Sequence, residues 1–161
     1  MDVPHQHVRL LSDLSSDKAP SVEVVAAELV GPDTYRLIDS PIAVLGCARD
    51  DIIRVNEKGI FQIIQQGGRI SVQVFTHDDP EAVREKVVSG IAAWDGSLDN
   101  VVRLGTVFAV SIPLAVGHKA IAAFFEHVVA EFTRTDWQYG SAFPQSGGDT
   151  YLPWTREFFS R

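Results

Sequence analysis

The side chains best suited to acid–base or metal chemistry stand together in the short stretch THDDP, at the end of a predicted strand. His77 and Asp78 form a histidine–carboxylate pair, which can serve as a general base or a metal ligand. Asp79 followed by Pro80 is also typical of a helix start, where the carboxylate accepts a backbone N–H bond. Capping explains the whole group and is the interpretation we favour. The alternative is a small-molecule site or enzyme in a cleft between two halves of the chain, with His118 beside His77 and Asp78.

The other candidate motifs lack residues that their chemistry needs. His127 and Glu131 have helical i, i+4 spacing, but a zinc helix needs a second histidine four residues from the first. Cys47 is the single cysteine and stands in an apolar run, which favours a small buried side chain over a nucleophile. The sequence contains neither a phosphate-binding glycine pattern nor a nucleophile elbow. We therefore predict no catalytic residue, no metal site and no cofactor.

The charge and composition of the chain exclude some classes of partner. The 161 residues include 14 basic and 21 acidic ones, which gives a net charge of −7. Nucleic-acid binding depends on neutralising phosphates with lysine and arginine, so this balance argues against it. No apolar run approaches the ~20 residues that a membrane span requires, and the acidic N-terminus is unlike a signal peptide. We therefore expect a cytoplasmic protein that can attract a basic partner.

Hydrophobic periodicity predicts strands in the first part of the chain and helices in the second. The predicted strands are residues 21–30, 35–40, 51–55, 60–65, 69–75, 98–103, 106–112 and a last one within TDWQYGS. Two helices are predicted, one from the Asp79 cap to Trp94 and one over about 117–132, because apolar residues recur there with a period near 3.6. Val8 and Leu10, with the neighbouring leucine, could add a first strand.

These elements predict an α+β fold with two halves. A small antiparallel β half, built as a barrel or sandwich, packs against a ferredoxin-like half, a split βαβ arrangement with two helices on one sheet face. The strand at 69–75 could belong to either half. The predicted segments are an N-terminal extension 1–20, the β half 21–76, the α+β half 77–143 and an aromatic tail 144–161.

Three segments between residues 22 and 143 resemble the small bacterial proteins grouped as domain of unknown function 4265. They are VVAAELVGPDTYRLIDSPIAVLGCARDDIIRV, LGTVFAVSIP and WQYGSAFP. Pro41, Gly46 and Asp51 match the family pattern, whereas Asp50 and Gly140 depart from it. The resemblance implies the α+β fold and a bacterial origin, and it brings no assigned catalysis, cofactor or substrate.

The tail concentrates aromatic residues in a stretch rich in glycine, proline and serine. Phe158 and Phe159 are predicted to pack back over the β half of the chain and to close the exposed seam between the two halves. Tyr151 and Trp154 stay open between core packing and an interface, because tyrosine and tryptophan are frequent in binding hot spots. A homodimer built through the tail is a further possibility.

Charge and aromatic content together suggest a non-enzymatic protein-binding module, of the kind that neutralises a basic bacterial toxin as its immunity partner. Acidic groups would steer a cationic partner, and aromatic side chains would hold it. The predicted contacts are Asp50, Asp51, Glu57, Tyr151 and Trp154.

Overall fold

The computed structural model describes residues 5–12, 21–102 and 104–161. Within these residues the chain forms two antiparallel sheets and three α-helices, which confirms the α+β class. The strands are β1 (Gln6–Ser12), β2 (Ser21–Gly31), β3 (Thr34–Leu37), β4 (Ile52–Val55), β5 (Phe61–Gln65), β6 (Arg69–Thr76), β7 (Ser97–Val101), β8 (Val107–Pro113) and β9 (Thr135–Tyr139). The helices are α1 (Pro80–Ile91), α2 (His118–Glu131) and α3 (Thr155–Phe159). Residue 103, where a predicted strand ended, lies outside the described residues, as do 1–4 and 13–20 of the predicted N-terminal extension.

The first sheet contains β1 to β5 in chain order, each antiparallel to the next. β1 pairs with β2 and buries Val8 and Leu10, so the strand suggested by these residues is present. The predicted hairpin is confirmed in β2 and β3, although β3 ends at Leu37 instead of residue 40. Its turn contains Asp33 with a left-handed φ of 52°. Inward side chains from the five strands form a first hydrophobic core.

The second sheet has the strand order β7-β8-β6-β9. β6 is central, because it pairs with β8 on one side and with β9 on the other. The predicted strand at 69–75, which could have belonged to either half, is β6 and therefore belongs to the second sheet. The boundary between the residues of the two sheets therefore lies before β6, whereas the predicted β half extends to residue 76.

α1 and α2 pack on one face of the second sheet. Asp79 caps α1 as predicted: its carboxylate accepts a hydrogen bond from the Glu81 N–H at 3.1 Å. α1 ends in a short 3-10 turn, after which Asp95 adopts a left-handed φ of 58°. The helices and the sheet share a second hydrophobic core, whose helical members are Val83, Val87, Ile91, Ile121, Phe125 and Val128.

The end of the tail supplies a hydrogen-bond acceptor to the first turn of α2. This helix has no side-chain cap, and its Lys119 N–H donates to the Arg161 carbonyl oxygen at 3.2 Å. Before α3, the Leu152 N–H donates to the Ala142 carbonyl oxygen at 2.7 Å. These bonds hold the end of the tail against the second half of the molecule.

Aromatic packing explains why the tail is rich in large rings. Phe158 is 4% exposed and belongs to the second core, and Phe159 is half-buried against it, so both are packed inward, but on the second half of the chain instead of the predicted β half. Tyr151 lies between the rings of Phe143 and Phe159, with centroid distances of 4.9 and 4.3 Å, and is still 46% exposed. Trp154 is half-buried and packs on the second core. Both residues that the sequence left open thus contribute to the packing of the tail.

A polar network joins the two sheets. The side chain of Asp99 is fully buried and accepts hydrogen bonds from the Ser40 N–H at 3.2 Å and the Ser97 hydroxyl at 2.6 Å. Arg49 donates to the Ser97 hydroxyl oxygen at 3.0 Å, and Arg69 reaches the same oxygen at 3.4 Å. Since Asp99 is thereby hydrogen-bonded and faces a guanidinium, its burial is compensated and the junction is fixed.

Candidate functional site

The first and last strands of the first sheet approach each other along a seam, which runs between β1 and the start of β5. The Leu11 N–H donates to the Gly59 carbonyl oxygen at 2.9 Å. Gln145, from the tail, inserts its carboxamide here: its oxygen accepts from the Phe61 N–H at 3.0 Å. Its nitrogen donates to the carbonyl oxygens of Leu11 and Gly59, both at 2.9 Å. The side chain therefore bridges the two strand edges much as a peptide group would.

A cleft of about 550 Å³ opens between β1, the β2–β3 turn and the β4–β5 turn. This volume lies within the range of roughly 300–1,000 Å³ that is usual for binding pockets. Its apolar floor includes Val8, Leu10, Tyr35 and Val55, and its rim carries the charged or ionisable side chains of His7, Arg9, Asp33, Glu57 and Lys58. The cleft thus combines apolar contact area with charges of both signs.

The edge of β1 that faces this cleft carries peptide groups that point away from β2. Alternate residues of an antiparallel strand direct their N–H and C=O to opposite sides. Leu11 points toward Gly59 on the far side from β2, so His7 and Arg9 point the same way. Within residues 5–12, 21–102 and 104–161, no backbone hydrogen bond reaches the outward groups of His7 and Arg9.

An apolar groove of about 320 Å³ lies beside Gln145, between β5 and the tail. It is lined by Phe61, Ile63, Pro144, Leu152, Pro153 and Trp154, among others. We call the cleft, Gln145 and this groove together the seam surface. Proteins bind other chains through such combinations of an apolar centre and a charged rim.

The seam surface contains two of the five predicted partner contacts. Glu57 is exposed on the rim of the cleft, and Trp154 lines the groove. Tyr151 is exposed next to Leu152, at the edge of the groove. Asp50 lies elsewhere: it is half-buried with a left-handed φ of 73°, and its N–H donates to the Leu37 carbonyl oxygen.

Asp51 is only 5% exposed, so its carboxylate does not lie on a surface that a partner could contact. Its two oxygens accept hydrogen bonds from the Ala48 N–H and the Gly67 N–H, each at 2.8 Å. Burial raises the pKa of Asp51 to about 6, although these two hydrogen bonds oppose the change. The residue therefore acts as an internal anchor between the β3–β4 loop and the segment that leads into β6.

We expect Asp51 to make the stability of the protein depend on pH. A carboxyl pKa raised in the folded state favours folding when protonated, so this contribution is lost as pH rises from below 4 to above 6. The change from 3.8 to about 6 corresponds to about 3 kcal/mol. Urea unfolding of the native protein and of Asp51→Asn between pH 3 and pH 7 measures it. The free energy of unfolding of the native protein minus that of the variant should decrease by this amount toward pH 7. A difference that does not change with pH would contradict the assignment.

His77 and Asp78 follow β6 and tie its end to the residues before β9. His77 is exposed, and its N–H donates to the Arg134 carbonyl oxygen at 2.9 Å. The Asp78 carboxylate accepts from the Arg134 N–H at 2.9 Å and from the Thr135 hydroxyl at 2.8 Å. These bonds give Asp78 a structural role between β6 and β9, whereas the predicted helix capping is made by Asp79.

His118 lies beyond the opposite end of β6. It begins α2 shortly after Pro113, which pairs with Arg69 at the start of β6, whereas His77 follows the last residue of that strand. The His118 Nδ1 is 2.8 Å from the Tyr139 hydroxyl. The structure therefore does not bring His118 together with His77 and Asp78.

Cys47 and possible metal ligands are the remaining candidates for chemistry in the described parts of the chain. Cys47 is buried in the first core, and burial, followed by the charges of Asp51 and Glu23, raises the pKa of its thiol. Among the residues that the structure describes, no group of three or more histidine, cysteine or acidic side chains is arranged to hold a metal ion. In the same residues, none of the helices has both the length and the apolarity needed to cross a bilayer.

Sequence reasoning missed the contributions of Gln145 and of the β1 edge. The alternation of Val8 and Leu10 indicated a strand, but a strand pattern does not tell which edge stays open. Gln145 stands in a turn-rich stretch without periodicity, and its hydrogen-bond partners are more than 80 residues away in sequence. Only the folded arrangement of the tail brings them together.

Comparison with known proteins places the chain in a family. No curated protein matches it. A crystal structure of a hypothetical protein from Neisseria gonorrhoeae is similar in fold, with a TM-score of 0.65 and 12% identity over 87% of this chain and 96% of that one. Residues 23–135, more than half of the chain, match the family described as Domain of unknown function (DUF4265), in agreement with the resemblance noted in the sequence. The chain therefore belongs to the DUF4265 family.

Proposed function

We propose that this chain is a non-enzymatic protein-binding module whose partner docks on the seam surface, and that it acts as an immunity protein against a basic bacterial toxin in the cytoplasm. The observation that carries this proposal is the seam surface itself. It places an apolar groove beside a cleft where the outward peptide N–H groups of His7 and Arg9 have no backbone partner among the described residues, and both features suit a macromolecular partner.

Charge supports a basic partner. The chain has a net charge of −7, which is the charge that favours a basic partner. The rim of the cleft itself carries the carboxylates of Asp33 and Glu57 beside the cations Arg9 and Lys58. Long-range attraction between opposite net charges raises the association rate, while buried apolar contacts hold the complex together. Trp154 and Leu152, which line the groove, supply such apolar contacts.

We class the second sheet with α1 and α2 as a split βαβ half, since a central β6 flanked by β8 and β9 supports it. We class the first sheet as a partly closed barrel, because Gln145 and the Leu11–Gly59 bond join its ends.

Display of bacterial open-reading-frame fragments on phage tests the function. The native chain is the bait, Glu57→Lys is the test variant, and Glu126→Lys, on an exposed position of α2, is a control with the same change in net charge. We expect native protein to enrich a basic fragment whose binding weakens at least about tenfold with Glu57→Lys. The control should bind within about twofold of native protein, because its charge lies away from the seam surface.

A growth assay then tests neutralisation. The full-length protein that contains the enriched fragment should arrest bacterial growth when expressed alone, and co-expression of the native chain should restore growth. Fragments that bind all three baits equally, or a parent protein that is harmless alone, would contradict the proposal.

A further inference from the structure

The outward edge of β1 presents a defined set of hydrogen-bonding groups to the cleft. The N–H and C=O groups of His7 and the N–H of Arg9 point away from β2 and have no backbone partner among the described residues, while the Arg9 carbonyl oxygen lies against Gly59. A row of such groups at a strand edge is the template on which an extended peptide adds as a further strand. The chemistry of this edge therefore specifies an extended backbone as its complement.

The cleft next to this edge suits the side chains of such a peptide. Successive residues of a strand point to opposite faces, so a strand beside β1 would direct alternate residues toward the apolar floor formed by Tyr35 and Val55. The remaining residues would point outward on the side of Arg9, which is exposed. An acidic side chain opposite Arg9 would pair with its guanidinium.

Charge argues against a second copy of this chain as the occupant. Antiparallel pairing of two β1 strands centred on Arg9 places the two guanidinium groups opposite each other. Like charges directly opposite each other destabilise a strand pair. A segment of different sequence, with a carboxylate at that position, has the complementary charge.

We propose that the partner engages this chain by β-strand addition: an extended segment of about five residues pairs with the His7–Arg9 edge, with apolar side chains in the cleft and a carboxylate facing Arg9. This inference rests on the proposed function and names the mode of recognition. The net positive charge of the partner would govern its approach, whereas the single carboxylate would set the register of the strand.

Proline substitution tests the backbone contact. Arg9→Pro removes an N–H that points away from β2, which an edge strand tolerates, and so blocks strand addition while the pairing of β1 with β2 is retained. Arg9→Ala is the matched control, since it removes the charge and keeps the N–H. The probe is a random nine-residue peptide library displayed on phage, panned on native and variant proteins whose thermal unfolding has been checked.

Native protein should enrich peptides with apolar residues at alternate positions and an acidic residue between them. Synthetic versions of these peptides should bind Arg9→Pro at least about tenfold more weakly than Arg9→Ala, and Arg9→Ala should lose the preference for the acidic residue. N-methylation along the peptide should abolish binding at every second residue. If Arg9→Pro fails to fold, His7→Pro makes the same test nearer the strand end.

Two results would overturn the inference. If Arg9→Pro enriches the same peptides as native protein, or if N-methylation shows no alternation, strand addition is refuted, and a basic fragment recovered by open-reading-frame display would leave the proposed function standing. If neither library yields a binder, the inference and the proposed function fail together.

Discussion

Substitution of Phe158 by alanine is expected to lower the free energy of unfolding by about 3–5 kcal/mol, the cost of removing a buried phenylalanine ring from a packed core. Phe158 is 4% exposed, and its ring centroid lies 5.4 Å from that of Tyr139 and 5.2 Å from that of Phe159. Its loss would leave a cavity under α3. Urea unfolding followed by circular dichroism measures the effect.

Tyr151→Ala is the matched control for Phe158→Ala. Tyr151 stacks on Phe143 and packs at a tilt against Phe159 but remains 46% exposed, so its removal should cost about 1 kcal/mol. Equal losses for the two variants would contradict the packing described for the tail. The pair of variants also separates the residue that stabilises the tail from one that stays available to a partner.

Gly67→Ala is expected to destabilise the protein by about 3–5 kcal/mol, the sum of overpacking and a broken internal hydrogen bond. A Cβ at this position would lie 2.3 Å from the carbonyl carbon and 2.4 Å from the carbonyl oxygen of Asp50. The backbone would have to move, and this movement would disturb the bond from the Gly67 N–H to Asp51. Thermal and urea unfolding measure the change.

The adjacent Gly68 provides the control. Its φ is +86°, but a Cβ there would meet no atom within 4 Å, so Gly68→Ala should cost only the backbone strain of about 1–2 kcal/mol. A smaller effect at Gly67 than at Gly68 would show that the β5–β6 connection adapts easily, and would contradict a rigid anchor at Asp51.

Local rules predicted the elements of this fold better than their arrangement. The capping aspartate and proline at 79–80 located the start of α1 because capping depends on neighbouring residues alone. Alternation in ISVQVF located β6, yet it could not say that this strand would be central in the second sheet. Strand order depends on pairings between distant segments, which one sequence does not display.

The candidate site was predictable only in part for the same reason. Glu57 was identified from its turn and Trp154 from its residue type, and both line the seam surface. Asp51 was chosen as a charged residue in a loop, but three-dimensional packing buries it. A carboxylate in a turn is usually solvated, and only the positions of the Ala48 and Gly67 N–H groups show that this one is not.

The dependence of the seam on Gln145 has a consequence for biosynthesis. The carboxamide of Gln145 bonds to residues at both ends of the first sheet, and the ribosome synthesises Gln145 after all the strands of that sheet. Nascent chains can fold their early strands during translation, but the bridge between Leu11 and Phe61 closes only once the tail has emerged. The seam surface is therefore complete only after Gln145 has left the ribosome.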